Sequence, residues 1–205
     1  MKSAFEIEPI IKVKQGQRWK SGIRVLGVAE SFQKSDAKSV VAGVVMRGDF
    51  RIDGFGMCFP KVGGMDSTEQ LIQMFNKINR SDIRAWLLGG SIISWFNIID
   101  ISKLYETTGL PVICVSYSDS EGIEKYLQEY FEDWKLRLEK IKKNGVREKI
   151  TLDNGFEVFL LIAGLSYEQA QSLLNQVTVD GRIPEPIRVA RSLASSLREQ
   201  DRILK

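Results

Sequence analysis

A single α/β domain, built on one mixed sheet with helices on both faces, is the fold this sequence predicts. Three observations predict it. Three strand-like runs follow one another before Pro60, joined by short links, as in an antiparallel meander. After Asp66 the apolar period lengthens from two residues to about 3.6, and apolar runs then alternate with helical stripes. The run Ser39–Met46 (SVVAGVVM) is β-branched and nearly all apolar, as in a strand covered on both faces.

Taken in order, residues 1–21 read as an arm, with Lys2, Lys12, Lys14, Arg18 and Lys20 among few apolar residues. A single domain is expected over 22–205. Gly22–Val28 is its first strand and Ser39–Met46 its second. Arg47-Gly48-Asp49 supplies a turn into Phe50–Phe59, where Phe55, Met57 and Phe59 alternate as in a half-buried strand. Leu71, Met74, Phe75 and Ile78 then recur at helical spacing. Asp66 before them, with Glu69 three residues on, suits an N-cap with a reciprocal carboxylate.

Ile83–Leu88 is a fourth strand. Asp100–Thr108 is a short helix capped by Asp100 and ended by Gly109 and Pro111, and Pro111–Tyr117 is a fifth strand. One long amphipathic helix is expected over Ile123–Ile141, with Trp134 on its apolar stripe and Asn144-Gly145 as its stop. Phe156–Ala163 is another strand. Ser166 and Gln169 make a capping box before Ala170, Leu173 and Leu174. A last helix runs over Ile187–Arg198, with Pro186 tolerated in its first turn. A meander followed by β-α units puts the first strand in the sheet centre with the fourth beside it and parallel.

Composition narrows the chemistry. Of 205 residues, 43% are hydrophobic and 27% charged, which suffices for a packed core. No run approaches the ~18 apolar residues of a membrane span. Glu6 and Glu8 stand where a secretory signal needs apolar residues, so a cytoplasmic protein with no membrane partner is expected. The chain has no histidine, which excludes imidazole triads and His-ligated metals. Two isolated cysteines, Cys58 and Cys114, lie in apolar runs and read as buried reduced thiols. Neither zinc, haem nor a nucleotide cofactor is indicated, since Gly63-Gly64 and Gly89-Gly90 have no phosphate-loop spacing. The net charge of +3 permits nucleic-acid binding through a local patch without requiring it.

Ligands of open α/β sheets gather at the carboxyl ends of the parallel strands. Here those ends are Val28-Ala29-Glu30 and Leu88-Gly89-Gly90. Glu30 is a candidate metal ligand or a solvated loop acid, and Asp66 and Glu69 are candidate ligands or a cap box. In the last helix Arg188, Arg191, Arg198 and Arg202 fall within an arc of about 80°. That stripe suits phosphate contacts and equally a solvated basic face. Trp95-Phe96 follows the fourth strand and reads as packing or as a base-stacking pair.

The blocks GIRVLGVAES (22–31), GVVMRG (43–48), GGMDSTEQL (63–71), LLGGSIISWFNIIDISKLYETTGLPVI (87–113) and RIPEPIRVAR (182–191) resemble an archaeal domain-of-unknown-function family similar to endonuclease V. The resemblance spans most of residues 22–195. It implies a ribonuclease H-like fold, a nucleic-acid partner, and Mg²⁺- or Mn²⁺-assisted phosphodiester cleavage. Mg²⁺ takes hard oxygen ligands, and two ions together stabilise attacking and leaving oxygens. The family pattern places Asp near Ala29 or Glu30, Asp-Gly where Gly89-Gly90 stands, and histidine where Arg191 stands. On that pattern Glu30, Asp66 and Glu69 are the catalytic acids and Glu30 and Asp66 the metal ligands, while the stripe on the last helix makes Arg188, Arg191 and Arg198 the nucleic-acid contacts. The resemblance thus implies nucleic-acid binding with a reduced or altered carboxylate site. An active Mg²⁺- or Mn²⁺-dependent endonuclease and a non-enzymatic partner-binding domain are the alternatives.

Overall fold

The computed structural model describes residues 19–118 and 122–203, the last three by backbone alone. Residues 1–18 of the expected arm and the side chain of Arg202 lie outside the described residues. Seven strands form one mixed sheet: β1 (Arg24–Ser31), β2 (Val40–Arg47), β3 (Ile52–Cys58), β4 (Ile83–Leu88), β7 (Val112–Ser116), β8 (Glu148–Thr151) and β9 (Glu157–Ala163). Their order is β3-β2-β1-β4-β7-β9-β8. β1 pairs antiparallel with β2 and parallel with β4, β4 is parallel to β7, and β9 is antiparallel to both β7 and β8. A separate two-stranded hairpin, β5 (Ile92–Ile93) and β6 (Asn97–Ile98), follows β4.

Among the described residues six helices accompany the strands: α1 (Ser67–Ile78), α2 (Ile101–Thr108), α3 (Ile123–Tyr130), α4 (Trp134–Lys143), α5 (Tyr167–Val177) and α6 (Glu185–Ile203). Two apolar cores result. One gathers Val25, Val44, Leu87 and Ile113 of the sheet with Leu173 of α5 and Ala190 of α6. The other gathers Leu26, Val45 and Trp86 with Leu71 of α1 and Leu104 of α2. Successive residues of β1 feed opposite cores because strand side chains alternate in direction. Among the described residues no helix is long and apolar enough to cross a membrane. Cys58 and Cys114 are free and buried, and burial raises both thiols, Cys58 to about 12.

The structure departs from the sequence expectation at five points. Phe55, Met57 and Phe59, expected to alternate into a half-buried face, are all exposed, because Gly56 is the β3 residue that packs against Met74 and Ile78 of α1. The helix expected over Ile123–Ile141 is two, because Phe131 is extended (φ −136°) and turns the chain between α3 and α4. Trp134 is only half-buried, and the residue that α4 buries is Arg137. The polar strand β8 carries no apolar alternation to announce it, since only Ile150 of its four residues is apolar. The expected Asp66–Glu69 capping box is absent: the Asp66 side chain makes no cap bond. Asn97 Oδ1, thirty residues later in the chain, accepts from Ser67 N–H at 2.9 Å instead. By contrast Asp100 caps α2 by accepting from Lys103 N–H at 2.9 Å, and Ser166 with Gln169 forms the capping box of α5.

Candidate functional site

β1 and β4 run parallel with Val28 beside Leu88, so their carboxyl ends stop at one level. The pairing extends one residue further, Gly89 N–H donating to the Val28 carbonyl at 3.0 Å. A cavity of about 370 Å³ opens there, lined by Ala29, Glu30, Gly89, Gly90, Arg191 and apolar residues of β1, β2 and β4. A second cavity, about 560 Å³, continues to the end of β7. It shares Gly89, Gly90 and Arg191 with the first and adds Ser116, Tyr117 and the inner faces of α3 and α4. The two are compartments of one groove along the carboxyl ends of the parallel strands, where open α/β sheets collect ligands.

Helix α6 brings Arg191 to this groove because its first turn lies almost on β1. A Cβ placed on Gly27 would stand 2.4 Å from Pro186 Cβ and 2.5 Å from its carbonyl carbon. Gly89 is different. A Cβ there meets nothing closer than 3.4 Å, at Ile187 and the Val28 carbonyl, which is ordinary contact.

Glu30 points to the hairpin side of the groove. Its Oε2 accepts from Ser94 N–H at 2.5 Å and from Ser94 Oγ–H at 2.9 Å. Burial raises its carboxyl from the ordinary 4.5 to about 6, against the two Ser94 bonds and the nearby Arg191 guanidinium, which pull it down. The folded chain therefore keeps this proton between about pH 4.5 and 6, where the unfolded chain has lost it. The group's contribution to stability is greatest below 4.5 and is lost as pH rises through 6, by about 2 kcal/mol. Glu30→Gln keeps an acceptor for Ser94 and removes the charge. It is expected to flatten the pH dependence of urea unfolding between 4.5 and 6 and to gain up to about 2 kcal/mol at pH 8. A Gln variant less stable than the parent at pH 8 would show that the fold depends on the carboxylate.

Ser94 can donate to Glu30 because the chain makes an unusual turn. Ser94, Trp95 and Phe96 have φ of 47°, 56° and 62°, three consecutive non-glycine residues in the left-handed region. Each costs of order 1 kcal/mol or more unless its surroundings impose it. The surroundings do. Ser94 Oγ pairs with Ser39 Oγ at 2.5 Å, and the Ser94 carbonyl accepts from Gly63 N–H at 2.7 Å. Arg137, 4% exposed, grips the same place. Its Nη1 donates to the carbonyls of Phe96 (2.7 Å) and Gly64 (2.9 Å), its Nη2 to Gly63 (2.7 Å), and its Nε to Asp133 (2.8 Å). The turn presents Trp95 next to Tyr130, with the Lys34 ammonium 5.4 Å and 4.9 Å from the two ring centroids.

The other expected site residues go elsewhere. Asp66 accepts from Lys61 N–H at 3.1 Å and from Asn97 Nδ2 at 2.7 Å, and Glu69 is ion-paired with Lys103. Neither lines the groove compartments. Among the described residues no group of three or more Cys, Asp or Glu comes together to hold a metal ion. The three acids named from the sequence are thus not one cluster. Their local partners, above all Asn97 and Lys103, lie too far along the chain for spacing to reveal.

The arginines divide similarly. Arg188 pairs with Asp180 (2.8 Å) and Glu185 (3.0 Å). Arg198 donates to Ser31 Oγ at 2.9 Å and lies 3.9 Å from Asp36. Arg191 is exposed and makes no hydrogen bond or salt bridge to any described residue. Ser94, Asn97 and Arg137, which build the site, carried no sequence signal of their own. The only hint was the SIISWFN segment after β4, too short for a helix.

A protein of the UPF0215 group from Pyrobaculum calidifontis is 33% identical over 175 residues, covering 85% of this chain and 96% of that one. A crystal structure of a protein of unknown function from Archaeoglobus fulgidus superposes with a TM-score of 0.72 at 28% identity, covering 85% of this chain and 98% of that one. Endonuclease V of Ciona intestinalis, in complex with a 24mer DNA containing an inosine followed by a ribo-adenosine, superposes with a TM-score of 0.58 at 19% identity, covering 87% of each chain. That likeness is one of fold: a mixed α/β sheet similar to endonuclease V. The family model described as endonuclease dU matches residues 21–198, and the chain belongs to that family.

Proposed function

We propose that this protein binds nucleic acid along the groove at the carboxyl ends of β1, β4 and β7, on a ribonuclease H-like sheet whose carboxylate site is reduced to Glu30. The observation that carries the reading is Arg191. An unpaired guanidinium on the wall shared by two compartments is a ready partner for phosphate, which it meets bidentately. Beside it, Lys34 with Trp95 and Tyr130 offers the mixed cationic and aromatic surface that unpaired bases favour. The similarly folded Ciona enzyme is itself in complex with DNA. Electrophoretic titration at low salt with single-stranded DNA, duplex DNA and RNA, in chelator, tests the reading. Micromolar or tighter binding to one of them is expected, weakening steeply with salt. No binding to any would sink it and favour a partner-binding domain.

The residues present do not fit a pair of Mg²⁺ or Mn²⁺ ions. Such a site needs several acids converging on one point. Here Glu30 spends one oxygen on Ser94 and faces a guanidinium, while Asp66 and Glu69 are bound elsewhere. The family is named for an endonuclease, a metal-dependent endonuclease is the alternative reading, and one variant separates the two. Gly89→Asp has room for its Cβ and sets a second carboxylate beside Glu30. It is expected to create Mn²⁺ binding, read by calorimetry, that the parent lacks. Equal Mn²⁺ affinity in parent and variant would contradict the reduced site.

A further inference from the structure

We propose that the second compartment, at the end of β7, holds a nucleotide phosphomonoester between the Tyr117 hydroxyl and the Arg191 guanidinium. The inference rests on the nucleic-acid reading and deepens it, by naming a terminal phosphate as what this part of the groove selects.

The argument starts from a hydroxyl that the fold leaves unused. The Tyr117 oxygen is buried and has no hydrogen-bond partner among the described residues. A buried donor without a partner is costly, and such groups in folded proteins call for an explanation. This one sits where β7 ends, in the wall of a cavity of about 560 Å³. Arg191 lines the same cavity, Arg182 lies over the tyrosine ring, and these two with Arg188 are near enough to act on the hydroxyl electrostatically. Two are already committed. Arg188 is paired with Asp180 and Glu185, and Arg182 donates to the Tyr117 carbonyl at 2.7 Å with its guanidinium 5.6 Å from the ring centroid. Arg191 is not committed. The compartment's wall therefore carries one neutral unpartnered hydroxyl and one free guanidinium, with Arg182 and Arg188 adding positive charge nearby. Burial pushes the Tyr117 hydroxyl up to about 12, so it remains a donor throughout the physiological range.

That donor set suits an oxyanion with several terminal oxygens and more than one negative charge. A phosphomonoester, with a charge of about −1.5 to −2 near neutrality and three acceptor oxygens, matches it better than an internal diester. Ile123 of α3 and Leu138 and Ile141 of α4 form the facing wall, apolar surface suited to the sugar or base that carries the phosphate. The neighbouring compartment across Gly89, Gly90 and Arg191 holds the Glu30 carboxylate and would repel the same anion. The phosphate is thereby confined to the β7 side. Its source is either the end of a strand or a free mononucleotide.

The test is fluorescence anisotropy with one oligonucleotide carrying a 5′-phosphate, a 3′-phosphate or hydroxyl ends, together with competition by a nucleoside 5′-monophosphate and by inorganic phosphate. One phosphorylated end is expected to bind about tenfold tighter than the hydroxyl-ended strand, the weight of one hydrogen bond to a charged group. Tyr117→Phe removes only the unpartnered oxygen, so the fold is expected to survive, and the phosphate preference should vanish. If all ends bind alike, this inference is overturned while the nucleic-acid reading stands. If no strand binds but the mononucleotide does, and loses affinity in Tyr117→Phe, the nucleic-acid reading fails and the phosphate site stands, with free nucleotide as its ligand. If Tyr117→Phe leaves the preference intact, or nothing binds at all, the site is refuted.

Discussion

Arg137→Leu is expected to cost about 4 kcal/mol of unfolding free energy, measured by urea denaturation. The side chain is 4% exposed and its guanidinium reaches the carbonyls of Gly63, Gly64 and Phe96 as well as Asp133. Leucine fills part of the volume and satisfies none of them, and each carbonyl stranded without water costs about 1–3 kcal/mol. The loss should not be confined to stability. Phe96 ends the left-handed turn that aims Ser94 at Glu30, so releasing it frees Trp95 and removes the two Ser94 donors that hold the Glu30 carboxyl down against burial. Broadened Trp95 side-chain resonances and a Glu30 carboxyl moving further up from about 6 would register this in the folded fraction. A cost under about 1 kcal/mol would mean that the turn is held by something other than Arg137.

Gly27→Val is expected to cost about 3 kcal/mol, with Gly89→Ala as its control at under 1 kcal/mol. Both glycines lie at the β1–β4 pair, but only the first is covered by the backbone of α6. A Cβ at 2.4 Å from Pro186 cannot be relieved by turning a side chain, so the start of α6 must lift from the sheet. Arg191, one turn and a half further along, would move with it. The pair of variants thus separates the seating of α6 from general intolerance of side chains at the strand ends. Equal costs would contradict the account.

What was legible in the sequence follows from how far each bond reaches. The strands and helices of the two cores announce themselves through period, because their burial repeats every two or every 3.6 residues. The caps at Asp100 and Ser166 were readable because donor and acceptor lie three residues apart. Asp66 has the same local pattern and fails as a cap, because Asn97 takes the place. Nothing in the spacing of residues 66–69 could reveal a partner thirty residues away. Arg137 was hidden for the opposite reason: a charged residue in a charged helix reads as solvated, and only the fold brings three carbonyls to it.

The site divides along the same line. The carboxyl ends of β1 and β4 were expected to face the ligand, and the structure lays Glu30, Gly89 and Gly90 along one cavity. That four arginines share a face of α6 was evident from the helix period. Which of them stays unpaired was not, since Arg188 and Arg198 find partners in Asp180, Ser31 and Asp36, all outside the helix. Tyr117 gave no signal at all, because an unpartnered hydroxyl is a property of its surroundings and not of the tyrosine.

The most direct test of the central claim is the salt dependence of oligonucleotide affinity for the parent, Arg191→Glu and Arg51→Glu. Arg51 is a suitable control: it is 73% exposed and lies just past the β2 end that pairs with the start of β1, away from the groove. The account predicts that Arg191→Glu loses at least tenfold in affinity, with the slope of log affinity against log salt reduced by about one, while Arg51→Glu changes neither. Equal loss in both variants, or none in Arg191→Glu, would contradict a nucleic-acid groove at the carboxyl ends of β1, β4 and β7.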